Sequence, residues 1–282
     1  MKAPGVTPGL QQQIDRRPTK IPTPIKTVNE ELKIRISGPA NLPTLVYCPG
    51  LHGDWTLIGG FKRALRERCR LVEITYPRTL EWSLDDYGAA IEAALEERGI
   101  RTGWLLGESF GSQVVWSLVR RGKFLVTGVI LAGGFVRYPV RWGVQFAARV
   151  AGGISLRLIT TILFGYAKIA RYRFRNSPET VASFQEFIDR RTELDRQAAQ
   201  HRLRLIAAHD PSAVACSTTL PVYALTGGID PIVPWVFTRP WLKRNCATLK
   251  DYRIIWTADH NVMGTAPERA STQILRWMGL LA

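Results

Sequence analysis

From residue 31 onward, short apolar runs alternate with longer stretches of helical period. Glu31 to Ser37 carries apolar side chains at 32, 34 and 36, the two-residue period of a half-exposed strand. Thr44–Cys48 is a compact apolar run ending at Pro49-Gly50. Thr56 to Arg68 predicts a helix, and Leu71 to Thr75 a strand closed by Tyr76-Pro77. A second helix is predicted over Ser83 to Arg98, with Ser83 as N-cap, Asp85 and Asp86 in its first turn and Gly99 ending it. Then come a short strand at Trp104–Leu106, a helix from Phe110 to Arg121, and a strand from Val126 to Ala132 that stops at Gly133-Gly134. Over residues 137–210 the pattern is helical, with no convincing strand. Alternation resumes with the strand Val222–Thr226, a helix near Val233–Lys243, the strand Tyr252–Thr257 and a closing helix from about Pro267.

Such alternation implies an α/β fold, a mostly parallel central sheet flanked by helices on both faces. A lapse in the middle of one alternating series fits a helical insertion into one sheet better than two side-by-side domains. The expected organisation is a flexible leader over 1–30, a first core segment over 31–136, the insertion over 137–210 and a second core segment over 211–282. The leader is inferred from Pro4, Pro8, Pro18, Pro22 and Pro24.

Composition changes this picture little, with 46% hydrophobic and 22% charged residues. The start of the chain has no apolar run of secretory type. The longest uncharged run, Pro211 to Ile229, is broken by Pro221 and rich in Ser and Thr, so no membrane span is expected. Cys48, Cys69, Cys216 and Cys246 lack metal-site spacing and read as buried, reduced thiols of a cytoplasmic protein. The net charge of +15 is concentrated. Residues 109–178 hold eleven Lys and Arg and no acid, and residues 1–35 contribute a further balance of +4.

Chemistry enters at Gly107-Glu108-Ser109-Phe110-Gly111, a G-x-S-x-G run between a predicted strand and a predicted helix. A tight strand-to-helix turn there would lift the serine hydroxyl above the sheet, and glycines on either side let neighbouring backbone pass close. The motif alone is weak, and its position strengthens it. Asp230, in Gly227-Gly228-Ile229-Asp230-Pro231, follows the strand Val222–Thr226. It reads either as a site carboxylate at the rim of the sheet or as a turn residue capping the next helix. His260 follows the strand Tyr252–Thr257, whereas His201 and His209 fall on a helix and its exit and read as structural or exposed. His52, in the loop after an early strand, reads equally as a site-lining or a loop residue.

The order Ser, Asp, His, each after a separate strand, resembles the α/β-hydrolase superfamily. The resemblance covers about residues 31–282 and rests on Pro49-Gly50-Leu51-His52-Gly53, Gly107–Ser112 and Gly227–Pro234. It implies a serine nucleophile at Ser109, an acid at Asp230 and a base at His260. It also implies an oxyanion hole from the backbone amides of Phe110 and Leu51, Pro49-Gly50-Leu51 standing where the family has His-Gly-x. The insertion stands where the family carries its cap, and no metal or other cofactor is implied.

Within the cap, Trp142, Phe146 and Phe164 offer apolar surface for a substrate pocket, with His52 and Trp55 as further lining candidates. Lys168, Arg171 and Arg175 fall on one helical face. That face reads as a solvated surface, or as a basic surface for peripheral contact with anionic membrane. In either reading the cap's arginines lie outside the chemistry. No nucleic-acid motif accompanies the charge, so nucleic acid is not an expected partner. A small-molecule acyl substrate is. The expected activity is hydrolysis of a carboxylic ester or thioester. Acyl transfer, amide or carbon–carbon bond hydrolysis, and a non-catalytic lipid- or partner-binding role are the alternatives, because fold does not choose between them.

Overall fold

The computed structural model describes residues 31–65, 68–139 and 191–281, together with 143, 172, 174, 175, 178, 181, 182 and 188. The proline-rich leader, the pocket candidates Trp142, Phe146 and Phe164, and Lys168 and Arg171 lie outside the described residues.

Seven strands form one sheet: β1 (Lys33–Ser37), β2 (Thr44–Cys48), β3 (Arg70–Thr75), β4 (Thr102–Glu108), β5 (Leu125–Ala132), β6 (Val222–Gly227) and β7 (Leu249–Ile255). Their spatial order is β1-β3-β2-β4-β5-β6-β7. β1 is antiparallel to β3 and every other pairing is parallel. Successive residues of the buried strands serve opposite faces, as the pleat requires. Val46, Leu105, Val129 and Leu131 enter one core, and Leu45, Leu106, Ile130 and Ala132 the other. Both faces being covered, β2, β4 and β5 are near-continuous apolar runs.

The helices α1 (Gly59–Leu65), α2 (Leu84–Glu96), α3 (Gly111–Arg121), α4 (Glu193–Ala208), α5 (Ser212–Ser217), α6 (Trp235–Asn245), α7 (Val262–Thr265) and α8 (Pro267–Trp277) supply the cover. The first core packs α2 and α3 on the sheet, with Trp116 fully buried; the second packs α1, α7 and α8. Ser83 caps α2 as its position predicts, closing a capping box with Asp86.

Departures from the expected elements have local causes. The helix expected over Thr56–Arg68 is a 3₁₀ turn at Thr56–Ile58 and then α1, the change falling at Gly59-Gly60, poor helix formers. β7 runs Leu249–Ile255 rather than Tyr252–Thr257, because the amide of Ala258 turns back onto the carbonyl of Ile255. α5 has no counterpart in the sequence reading. Cys48, Cys69 and Cys246 are buried as expected, but Cys216, on α5, is exposed. The basic run is less isolated than its sequence suggests. Arg121 pairs with Asp85 at 2.5 Å and Glu92 at 2.6 Å, Arg120 with Asp85 at 2.8 Å, and Arg137 with Asp210 at 3.5 Å.

Candidate active site

Ser109 sits between β4 and α3 with φ of 49°, the only positive φ among the described non-glycine residues. That left-handed conformation is disfavoured for a residue with a Cβ and persists only where the surroundings over-determine it. Here they do. The Ser109 amide donates to the carbonyl of Ala132 at 3.1 Å, and its carbonyl accepts from Ser112 Oγ at 2.6 Å. A side chain at Gly111 would stand 2.0 Å from the carbonyl oxygen of Cys48, so the motif's second glycine is what lets α3 start against β2.

His260 follows β7. Its Nε2 lies 2.9 Å from Ser109 Oγ, and its Nδ1 lies 2.9 Å from Asp230 Oδ2. The Asp230 side chain is fully buried, and its other oxygen accepts the amides of Ile232 at 2.8 Å and Val233 at 2.9 Å. One oxygen thus orders the turn while the other meets the imidazole. The His260 loop is fixed by Asp259, whose carboxylate accepts the Asn261 amide at 2.8 Å and the Thr265 hydroxyl at 3.2 Å. A Cβ at Gly133 would come within 2.8 Å of the His260 carbonyl and 3.3 Å of its Nδ1. The Gly133-Gly134 stop after β5 thus makes room for the histidine.

Phe110 is held by its side chain, which is fully buried and meets the rings of Tyr76 and Tyr87 edge-on, each with centroids 5.8 Å away. Gly50 passes over the serine: a Cβ built on it would lie 3.5 Å from Ser109 Cβ and 3.3 Å from the His52 ring. Leu51 and His52 are the central residues of a turn closed by the Gly53 amide on the Gly50 carbonyl at 3.0 Å. Among the described residues, neither the Leu51 nor the Phe110 amide donates to another protein group. Beneath the serine, Tyr47 donates to buried Glu108. Burial and that carboxylate push the Tyr47 phenol well above its ordinary value, so it remains a donor.

His52 and Trp55 share a cavity of about 250 Å³ with Asp54, Arg191 and Arg202. Trp55 is capped there by the guanidinium of Arg35, 3.4 Å from its ring centroid. A larger cavity, about 1110 Å³, is bordered by Tyr172 and Arg175 and by Ile229, Pro231 and Trp256 beside the Asp230 loop. Arg175 is exposed, with its guanidinium 4.3 Å from the Tyr172 ring centroid. His201 and His209 are structural, bonding the carbonyl of Trp82 and the side chain of Gln113, each at 2.8 Å. Among the described residues, no group of three or more His, Cys, Asp or Glu could hold a metal ion, and no helix is long and apolar enough to cross a membrane.

Three side chains that meet the loops around the site carry no signal in the sequence. Phe174 is 2% exposed and packs against Gly264 on α7, directly after the His260 loop. Arg191 and Arg202 reach the loop that carries Leu51. Local pattern carries no trace of the two arginines, because the Leu51 and His52 carbonyls they reach lie more than 130 residues away.

A sequence profile described as the alpha/beta hydrolase family matches residues 45–271. The chain belongs to the alpha/beta hydrolase family. The match spans β2 through α8, with Ser109, Asp230 and His260 inside it. Among solved structures, a hydrolase from Pseudomonas aeruginosa PA01 superimposes with a TM-score of 0.72 at 15% identity, covering 88% of this chain and 94% of its own. A thermophilic esterase from Thermogutta terrifontis gives 0.70 at 19% identity, with 89% and 94% covered. An esterase from Exiguobacterium antarcticum gives 0.71 at 14%, with 88% and 95% covered. At such identities the likeness is one of fold. No curated protein sequence matches the chain.

Proposed function

We propose that this alpha/beta hydrolase cleaves a carboxylic ester or thioester through an acyl-enzyme on Ser109. The observation that carries the reading is the hydrogen-bonded chain Ser109–His260–Asp230, both links at 2.9 Å, at the rim where the parallel strands end. His260 takes the proton from Ser109 Oγ as that oxygen attacks the carbonyl carbon, then delivers it to the leaving alcohol or thiol. Asp230 keeps the imidazole in the tautomer whose Nε2 is free to accept, and stabilises its charged form. In the second half, His260 deprotonates a water that attacks the acyl-enzyme, and Ser109 recovers its proton. The oxyanion formed in each half is stabilised by the amides of Leu51 and Phe110. Both face no competing acceptor among the described residues, and preorganised donors need no rearrangement in the transition state.

Hydrolysis of p-nitrophenyl esters of increasing acyl length tests the proposal. The wild-type chain should turn over at least one of them, and Ser109→Ala should lower kcat by about a million-fold with the fold intact. Near-normal turnover by a folded Ser109→Ala variant would remove the reading.

A further inference from the structure

All four carbonyls of the turn that carries Leu51 have a donor. The Gly50 carbonyl accepts from the Gly53 amide at 3.0 Å, and the Gly53 carbonyl from the Tyr76 amide at 2.8 Å. The other two are met from the far end of the cap. Arg202 Nη1 donates to the Leu51 carbonyl at 2.9 Å, and Arg191 Nη1 to the His52 carbonyl at 3.3 Å. Arg202 Nη2 also reaches the Pro77 carbonyl at 3.1 Å, tying the turn to the chain after β3.

Arg202 is only 2% exposed, and these hydrogen bonds go to neutral carbonyls rather than to carboxylates. Burying a guanidinium is unfavourable unless its donors are used, so its placement here calls for a structural purpose. Peptide planarity supplies one. In a trans peptide the carbonyl of one residue and the amide of the next point in opposite directions. The Leu51 amide shares its plane with the Gly50 carbonyl, which the Gly53 amide holds. Arg202 and Arg191 fix the two planes that follow, Leu51–His52 and His52–Gly53, and so keep the turn from rotating about the Leu51 amide. Gly50, at the start of the turn, lies on the Ser109 side. α4 itself is locked at its start, where Asp195 closes a capping box with Thr192 and pairs with Arg78 at 2.7 Å. Arg191 is held by Asp54 at 2.9 Å.

We propose that Arg202, seconded by Arg191, is a positioning residue for the oxyanion loop, so that reactivity at Ser109 depends on how the segment returning from the cap is seated. This rests on the reading of Leu51 and Phe110 as oxyanion donors. The test is steady-state hydrolysis of a small p-nitrophenyl ester by Arg202→Met, Arg202→Lys and Arg191→Gln. Inhibition by an alkylboronic acid, whose tetrahedral serine adduct carries a negative oxygen, is measured alongside.

In Arg202→Met, kcat should fall about ten- to a hundredfold, as expected for a small misplacement of a stabilising group, with KM nearly unchanged. Boronate affinity should fall in step with kcat, and Arg202→Lys should recover part of both. A kcat within about threefold of wild type, or a lowered kcat with unchanged boronate affinity, would overturn the proposal. Should Arg202→Met fail to fold, Arg191→Gln decides: a several-fold lower kcat supports the clamp and an unchanged kcat removes it. A wild-type protein that neither turns over esters nor reacts at Ser109 would remove the underlying reading, whereas an active wild type with undiminished arginine variants removes the clamp alone.

Discussion

Asp230 shows how much one side chain can be asked to do. Its Oδ1 takes two backbone amides and its Oδ2 takes the imidazole, so the carboxylate orders its own turn and orients His260 together. Asp230→Asn keeps the Oδ1 acceptor if the amide nitrogen faces His260. That nitrogen then donates to Nδ1 and forces the proton onto Nε2, where the serine needs an acceptor. The substitution should lower kcat by roughly ten-thousandfold while leaving the thermal midpoint within a few degrees of wild type. Activity within a few-fold of wild type would show that another carboxylate holds the histidine. Asp230 stands out in the sequence because it follows a strand, but local pattern does not separate a turn role from a site role. Only the two oxygens' separate partners make them compatible.

At the scale of elements, ion pairs join pieces that the sequence holds far apart, and two of these junctions make predictions. The first is between α2 and α3. Arg121 is the partner of Glu92, whose side chain is 7% exposed. Arg121→Met should therefore destabilise the fold by about 3 kcal/mol, since an unpaired buried carboxylate is left behind. Urea denaturation of the single variant and of Arg121→Met with Glu92→Leu checks this: the double variant should regain most of the loss. The second junction is between the Leu51 turn and α4, through Asp54. Burial alone would raise the Asp54 carboxyl, but the charges of His52 and Arg191 and hydrogen bonds from Thr56 outweigh it and bring it to about 2. A carboxyl lowered on folding stabilises the native state above its unfolded value, near 4, and that contribution disappears as the pH falls toward 2. The contribution is about 2 kcal/mol at neutral pH. Stability measured by urea denaturation from pH 6 to 2 should fall less steeply in Asp54→Asn below about pH 4. An identical slope in wild type and variant would mean that the carboxyl is not held low.

Across the whole molecule, what was legible in the sequence is what the chain settles locally. β2, β4 and β5 are apolar on both faces, their ends are marked by Pro49-Gly50, Gly107 and Gly133-Gly134, and the candidates Ser109, Asp230 and His260 each follow a strand. A parallel sheet then carries the rest, because strands that run together end together, and Ser109 and His260 meet across 151 residues. What was not legible depends on partners that leave no periodic trace: Arg202 on the Leu51 carbonyl, Phe174 on Gly264, and the α2 acids that compensate Arg120 and Arg121. Charge counted along the chain does not show which arginines are paired, and no motif picks out Arg191 and Arg202, which reach the Leu51 turn.

Reaction with a fluorophosphonate, followed by intact mass and peptide mapping, tests most directly the proposal that Ser109 is an activated nucleophile. The phosphonyl group should add once per chain, on Ser109, with loss of fluoride. Ser109→Ala should show no adduct, and His260→Ala should react far more slowly because the hydroxyl has lost its base. A wild-type protein left unmodified, or an adduct that persists in Ser109→Ala, would contradict the account.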